Sequence, residues 1–107
     1  MSFIYVPPTA GGGKAASWTS IASPLTAQAG FNYAADTSGG AFTVTLPGTP
    51  SNLDAVYFQD AAGTWNTNAL TIGRNGNTIM GVAEDLVANT RNTGFGLIYN
   101  GSDWRTF

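Results

Sequence analysis

The groups that could perform acid–base chemistry in this chain are few. Asp36, Asp54, Asp60, Glu84, Asp85 and Asp103 are the carboxylates, and Lys14, Arg74, Arg91 and Arg105 are the cations. Paired carboxylates are what glycoside hydrolysis needs, and the close pairs are Glu84 with Asp85 and Asp54 with Asp60. Neighbouring side chains on a strand face opposite ways, so Glu84 and Asp85 do not share a cleft. They read as a solvated loop or a polar contact between subunits, and glycan cleavage by either is the weakest functional reading. There is no His and no Cys. That removes the usual general base, Ser-His-Asp and Cys-His catalysis, thiolate metal sites and disulfides. Asp60, Asn66 and Asn68 could offer oxygens to calcium, but their spacing matches no standard calcium loop, and turn formation explains them better. Gly11-Gly12-Gly13-Lys14 lacks the spacing of a phosphate loop. The expectation is a non-enzyme with no catalytic, cofactor-binding or metal site.

Binding chemistry is better represented. Trp18, Trp65 and Trp104 could stack on sugars. Tryptophan in a small β-domain more often serves the core or an interface, but Trp65 sits in the polar stretch Gly63-Thr64-Trp65-Asn66-Thr67-Asn68, which marks it as the possible glycan contact. Charged residues make up 9% of the chain and the net charge is -2, against about 25% charged in a typical soluble domain. No basic cluster exists, so the phosphate attraction behind nucleic-acid binding is missing. A surface of Thr, Asn, Ser, Ala and Gly loses little hydration energy when buried against a partner, which points to permanent assembly. No apolar run is long enough to cross a membrane, and Met1 to Pro8 lacks the features of a signal peptide. The protein is expected to be cytoplasmic when made.

The elements that must carry these residues are strands. In 107 residues, one domain is expected. Phe42, Val44 and Leu46 face one way while Thr43 and Thr45 face the other, between the turn signals Gly39-Gly40 and Pro47-Gly48. Further strands are predicted around Trp18, at Ala55–Gln59 with Val56 and Phe58 inward, at Asn68–Ile72 with Leu70 and Ile72 inward, and at Leu86–Ala88. Weaker ones fall at Pro24–Ala29 and Phe31–Ala35. Asn75-Gly76 predicts a tight hairpin turn returning through Thr78–Met80. Asn100-Gly101 predicts a final hairpin between Phe95–Tyr99 and Asp103–Thr106. The spacing predicts a small antiparallel β-sandwich or barrel-like domain over residues 15–107. Residues 1–14 differ. Phe3-Ile4-Tyr5-Val6 is an apolar run, Pro7-Pro8 holds the backbone stiff and extended, and Gly11-Gly12-Gly13 is a joint. This is either a docking arm, with Phe3, Ile4, Tyr5, Val6, Pro7 and Pro8 as its contact residues, or the first strand of the domain. At the other end, Trp104 should pair across the turn with an aromatic of the preceding strand. Tyr99, Trp104 and Phe107 are the expected subunit-interface residues, with Phe107 buried within or between subunits.

Several stretches resemble the small β-domains of tailed-phage virion proteins. The opening is Thr37-Ser38-Gly39-Gly40-Ala41-Phe42-Thr43-Val44-Thr45-Leu46-Pro47. The middle is Phe58-Gln59-Asp60-Ala61-Ala62-Gly63-Thr64-Trp65, with Asn68 to Ile79 after it. The close is Gly81 to Leu86 and Tyr99-Asn100-Gly101-Ser102-Asp103-Trp104-Arg105. The resemblance covers roughly residues 30–107, and the order of the motifs is its most specific feature. It implies a structural component of tail fibres or other appendages, a homotrimer, contact with capsid or tail proteins, location in the virion, and no catalytic residues. With the domain filling almost the whole sequence, the implied role is a short capsid decoration, head fibre or small tail component. A receptor-recognition module binding host-surface glycan is the alternative.

Overall fold

A computed structural model of the chain describes residues 17–107. The proposed arm, with Phe3, Ile4, Tyr5, Val6, Pro7 and Pro8, lies outside the described residues. The described chain is all β, with nine strands: β1 (Trp18–Ile21), β2 (Leu25–Thr26), β3 (Asn32–Ala35), β4 (Phe42–Thr45), β5 (Ala55–Asp60), β6 (Leu70–Gly73), β7 (Leu86–Ala88), β8 (Gly94–Tyr99) and β9 (Trp104–Thr106). They form a five-stranded sheet in the order β1-β3-β5-β8-β9 and a four-stranded sheet in the order β2-β4-β6-β7.

Apart from the return through Thr78–Met80, the expected strands are present, but their directions are not all antiparallel. The first six strands alternate between the sheets, and β1, β3 and β5 run parallel in one while β2, β4 and β6 run parallel in the other. A parallel neighbour requires a long crossover. Here each crossover is a strand of the opposite sheet, so the chain winds as a coil. Only the last three strands double back: β7 on β6, β8 on β5 and β9 on β8 are antiparallel. Side chains alternate in both kinds of sheet, so the apolar pattern predicts burial but not direction.

That pattern holds well. Phe42, Val44 and Leu46 are buried, as are Val56 and Phe58, and Leu70 and Ile72. With Ile21, Tyr33, Ala35 and Leu97 they close one core between the sheets. Along the inner face of the larger sheet, Tyr33, Phe58 and Phe95 occupy consecutive registers on β3, β5 and β8, with ring centroids 5.9 and 5.6 Å apart. Trp65 meets Phe95 edge-on at 6.1 Å and extends the row. Cross-strand aromatic pairs of this kind contribute about 0.2–1 kcal/mol each.

The Asn75-Gly76 turn forms, with φ of 49° and 86°, but it leads into no hairpin. The Asn75 and Asn77 side-chain amides donate to the carbonyls of Leu46 and Gly48, at 2.9 and 3.2 Å, which holds the outgoing chain against the loop after β4. Thr78–Met80 therefore makes only isolated bridges, Ile79 pairing with Val82 and Trp104, and β7 takes the place beside β6. A second tight turn sits at Met80-Gly81, both with positive φ, closed by reciprocal Ile79–Val82 backbone bonds. The final hairpin forms as expected, with Tyr99 paired to Trp104 and their rings 5.3 Å apart. Its loop has four residues, Asn100 to Asp103. The Asn100 side-chain oxygen accepts the Ser102 and Asp103 amides at 3.1 and 2.9 Å.

Candidate assembly and recognition surfaces

The residue expected to reach outward, Trp65, is fully buried at 0% exposure. Its indole N–H donates to the Ala35 carbonyl at 3.3 Å. A ring in that position cannot stack on a glycan, so this assignment is corrected. The polar residues around it misled because they serve the loop itself. The Thr37 and Thr64 hydroxyls pair at 2.8 Å, and the Asn68 amide donates to the Thr37 carbonyl at 2.9 Å.

Asp60 organises the same region. Its carboxylate is buried at the end of β5. One oxygen accepts the Thr64 amide at 3.1 Å, and the other accepts the Trp65 and Asn92 amides at 3.3 and 3.0 Å. It thus ties the loop after β5 to the loop before β8, using the charged-acceptor bonds that are stronger than neutral ones. A position at the end of a strand was a signal for such a role, but the partner Asn92 is remote in sequence. Among the described residues no group of three or more acidic side chains converges as a metal would require. Glu84 and Asp85 are exposed, and Asp85 accepts the Arg74 backbone amide at 2.9 Å.

The three interface candidates separate. Trp104 is also 0% exposed, so it belongs to this subunit's own core and is corrected as an interface residue. Its indole N–H has no partner among the described residues. It is buried because β9 turns it inward beneath Ile79 and Tyr99. Tyr99 is half-buried against it. Phe107 is 63% exposed, and it is not free-floating: Gly96 and Phe107 exchange both backbone hydrogen bonds, at 3.1 and 2.9 Å. The Phe107 ring lies over the bare Cα of Gly96, where any Cβ would strike it. It also approaches the Tyr57 ring at 6.1 Å.

Sequence reasoning missed the outer face of the larger sheet. Trp18, Asn32, Tyr57 and Gly96 stand in register across β1, β3, β5 and β8. Trp18 is 44% exposed and meets Tyr57 edge-on at 5.5 Å. With Phe107 beyond Gly96, this makes an outward aromatic row opposite the buried one. The signal was present in Trp18 and Tyr57, but their common row depends on parallel pairing. Beyond this row, Leu53, Val82, Val87 and Met80 are exposed apolar residues.

Charge is scarce on these surfaces. Arg105 and Asp103 form an ion pair at 3.1 Å, the one salt bridge among the described residues. The Asp103 carboxyl is held below its usual range, chiefly by the Thr78 hydroxyl donating at 2.7 Å, with the Gly81 amide and Arg105 assisting and desolvation opposing. Among the described residues no helix is long and apolar enough to cross a membrane.

Comparison with known proteins places this geometry. A family model described as "Bacteriophage T4 gp9/10-like protein, N-terminal" matches residues 4–103. The "Baseplate wedge protein gp10" of Enterobacteria phage T4 is 37% identical over 97 residues, which is 88% of this chain and 16% of that protein. The chain thus spans about a sixth of the length of this curated relative.

Proposed function

Since the chain belongs to the T4 gp9/10-like N-terminal family and is a structural protein of a phage virion, we propose that it serves in the tail, as a baseplate-type component that works by assembly and not by catalysis. The observation that carries this reading is the match over residues 4–103 together with a relative named for the baseplate wedge. That relative favours a tail position over the capsid-decoration or head-fibre role suggested by the length of the sequence. The nearly uncharged surface supports assembly, because few ions need to be dehydrated when it is covered.

In this reading the subunits form a homotrimer and contact neighbouring virion proteins. Phe107 and Tyr99 supply apolar area at a subunit contact, and residues 1–14 attach the domain to the particle through Phe3, Ile4, Tyr5, Val6, Pro7 and Pro8. The family match runs across position 14, so arm and domain act as one unit in this proposal. Light scattering on the purified full chain should give a trimer mass, and a monomer at high concentration overturns the trimer. A variant lacking residues 1–13 should stay trimeric and lose binding to particles that lack the native protein. Retained binding overturns the arm.

A further inference from the structure

The geometry points to a neutral-glycan site on the outer face of the five-stranded sheet, in a cavity walled by Trp18 and Tyr57. This goes beyond the assembly reading and does not depend on it. The cavity has a volume of about 490 Å³, and Trp18, Tyr57, Gln59, Asn92, Thr93 and Gly94 line it together with Asp60. That volume lies within the roughly 300–1,000 Å³ usual for small-ligand sites.

Its chemistry is that of sugar recognition. Sugars offer C–H faces that pack on aromatic rings and hydroxyls that both donate and accept. Here an exposed indole stands edge-on to a phenol ring at 5.5 Å, giving two apolar walls at an angle. Gln59 and Asn92 are exposed and supply amides able to donate and accept. Thr93 adds a hydroxyl. Among the described residues no cation lines the cavity, and the one carboxylate, Asp60, already accepts the Thr64, Trp65 and Asn92 amides. Among these lining residues an anionic ligand meets no counter-charge, and a cationic one meets only a carboxylate already engaged by three backbone amides. A neutral oligosaccharide satisfies the walls and the amides together.

The fold prepares this arrangement. Asp60 fixes the Asn92 backbone at 3.0 Å, and Asn92 itself holds a left-handed φ of 59°. Gly94 leaves the floor open. A Cβ there would sit 3.0 Å from the Phe58 carbonyl and 3.1 Å from the Tyr57 hydroxyl, forcing Tyr57 to move. Among the described residues, Trp18 is presented by an edge strand, which has a paired neighbour on one side.

The test is a titration of the ¹⁵N-labelled full chain with chitotetraose, cellotetraose and lactose, with sialyllactose as the anionic comparison. At least one neutral sugar should give saturable shifts at the Trp18 indole N–H and the Gln59 and Asn92 side-chain amides, with weaker binding of sialyllactose. Trp18→Ala and Gln59→Ala should each weaken that binding by about tenfold or more, with the remaining spectrum unmoved. Gln59→Ala removes an exposed side chain and carries the test alone if Trp18→Ala unfolds the edge. The proposal is overturned if none of the neutral sugars gives saturable shifts up to about 10 mM. It is also overturned if binding survives both substitutions, if the shifts map to another face, or if sialyllactose binds as well as the neutral sugars.

Discussion

From Trp18 to Gly73 the chain winds between two sheets and pairs in parallel, whereas from Leu86 to Thr106 it doubles back and pairs antiparallel. Both regions bury the same kind of alternating side chains. They differ in direction, and the closing region joins a local pair, β8 with β9, to the most distant pair of the fold, β5 with β8, where Ala55 meets Ile98. In the closing region, Tyr99 meets Trp104 across a four-residue loop. In the coil, Trp18 meets Asn32, and Phe42 meets Leu70. Local pairing is written in turn chemistry, while distant pairing is settled by which strands the whole core brings together.

Each region is anchored by one buried tryptophan, and that pair gives the largest expected effects. Trp65→Ala and Trp104→Ala should each cost about 3–5 kcal/mol, a large share of the stability of a domain this size, as read from urea unfolding. Small losses for either would show that its region is not held by this core. Next comes the join between the regions. Asp60→Ala strands the Thr64, Trp65 and Asn92 amides and should cost about 2–4 kcal/mol, with faster hydrogen exchange at Trp65 and Asn92 alike. Faster exchange on one side only would mean that the regions are fastened independently.

The phenylalanine substitutions sharpen the contrast. Trp65→Phe loses the bond to Ala35, whereas Trp104→Phe removes an indole N–H that has no partner among the described residues. Trp65→Phe should therefore be the more damaging by about 1 kcal/mol, and equal losses would show that the Trp104 N–H is satisfied in solution. Gly96→Ala should cost about 1 kcal/mol or less, because the added Cβ displaces only the exposed Phe107 ring. In a Phe107→Ala background that cost should vanish, and its persistence would place the strain in the backbone.

The smallest effect concerns pH. The Asp103 carboxyl is depressed by Thr78, Gly81 and Arg105. A depressed carboxylate stabilises the fold fully above its unfolded value, about 3.9, and loses that contribution as pH falls through its folded value. The melting-temperature advantage of the native chain over Asp103→Asn should thus be complete at neutral pH and shrink below about pH 4. An advantage that is constant across this range would show that the contacts of Asp103 do not favour its ionised form.

Much of the architecture was legible. Val44, Phe58 and Ile72 were placed inward by alternation alone, and the last hairpin by Asn100-Gly101. The surfaces were harder. Trp65 looked exposed because Thr64, Asn66 and Asn68 surround it in sequence, yet Thr64 and Asn68 spend their polarity on the neighbouring Thr37. Trp104 looked available for an interface because it lies near the end of the sequence, yet Ile79 and Tyr99 enclose it. Trp18 and Tyr57 were visible as residues and invisible as a pair.

The sequence by itself settled that this is a β-rich chain, poor in charge, with one apolar face per strand and with neither His nor Cys. These come from composition and from a period of two, which each strand carries within itself. Only the tertiary structure decided strand direction, which tryptophans are core, and that Trp18, Tyr57 and Gln59 line one cavity. Those depend on contacts between residues far apart in the chain, and no local pattern encodes the partner of a side chain that another strand must supply.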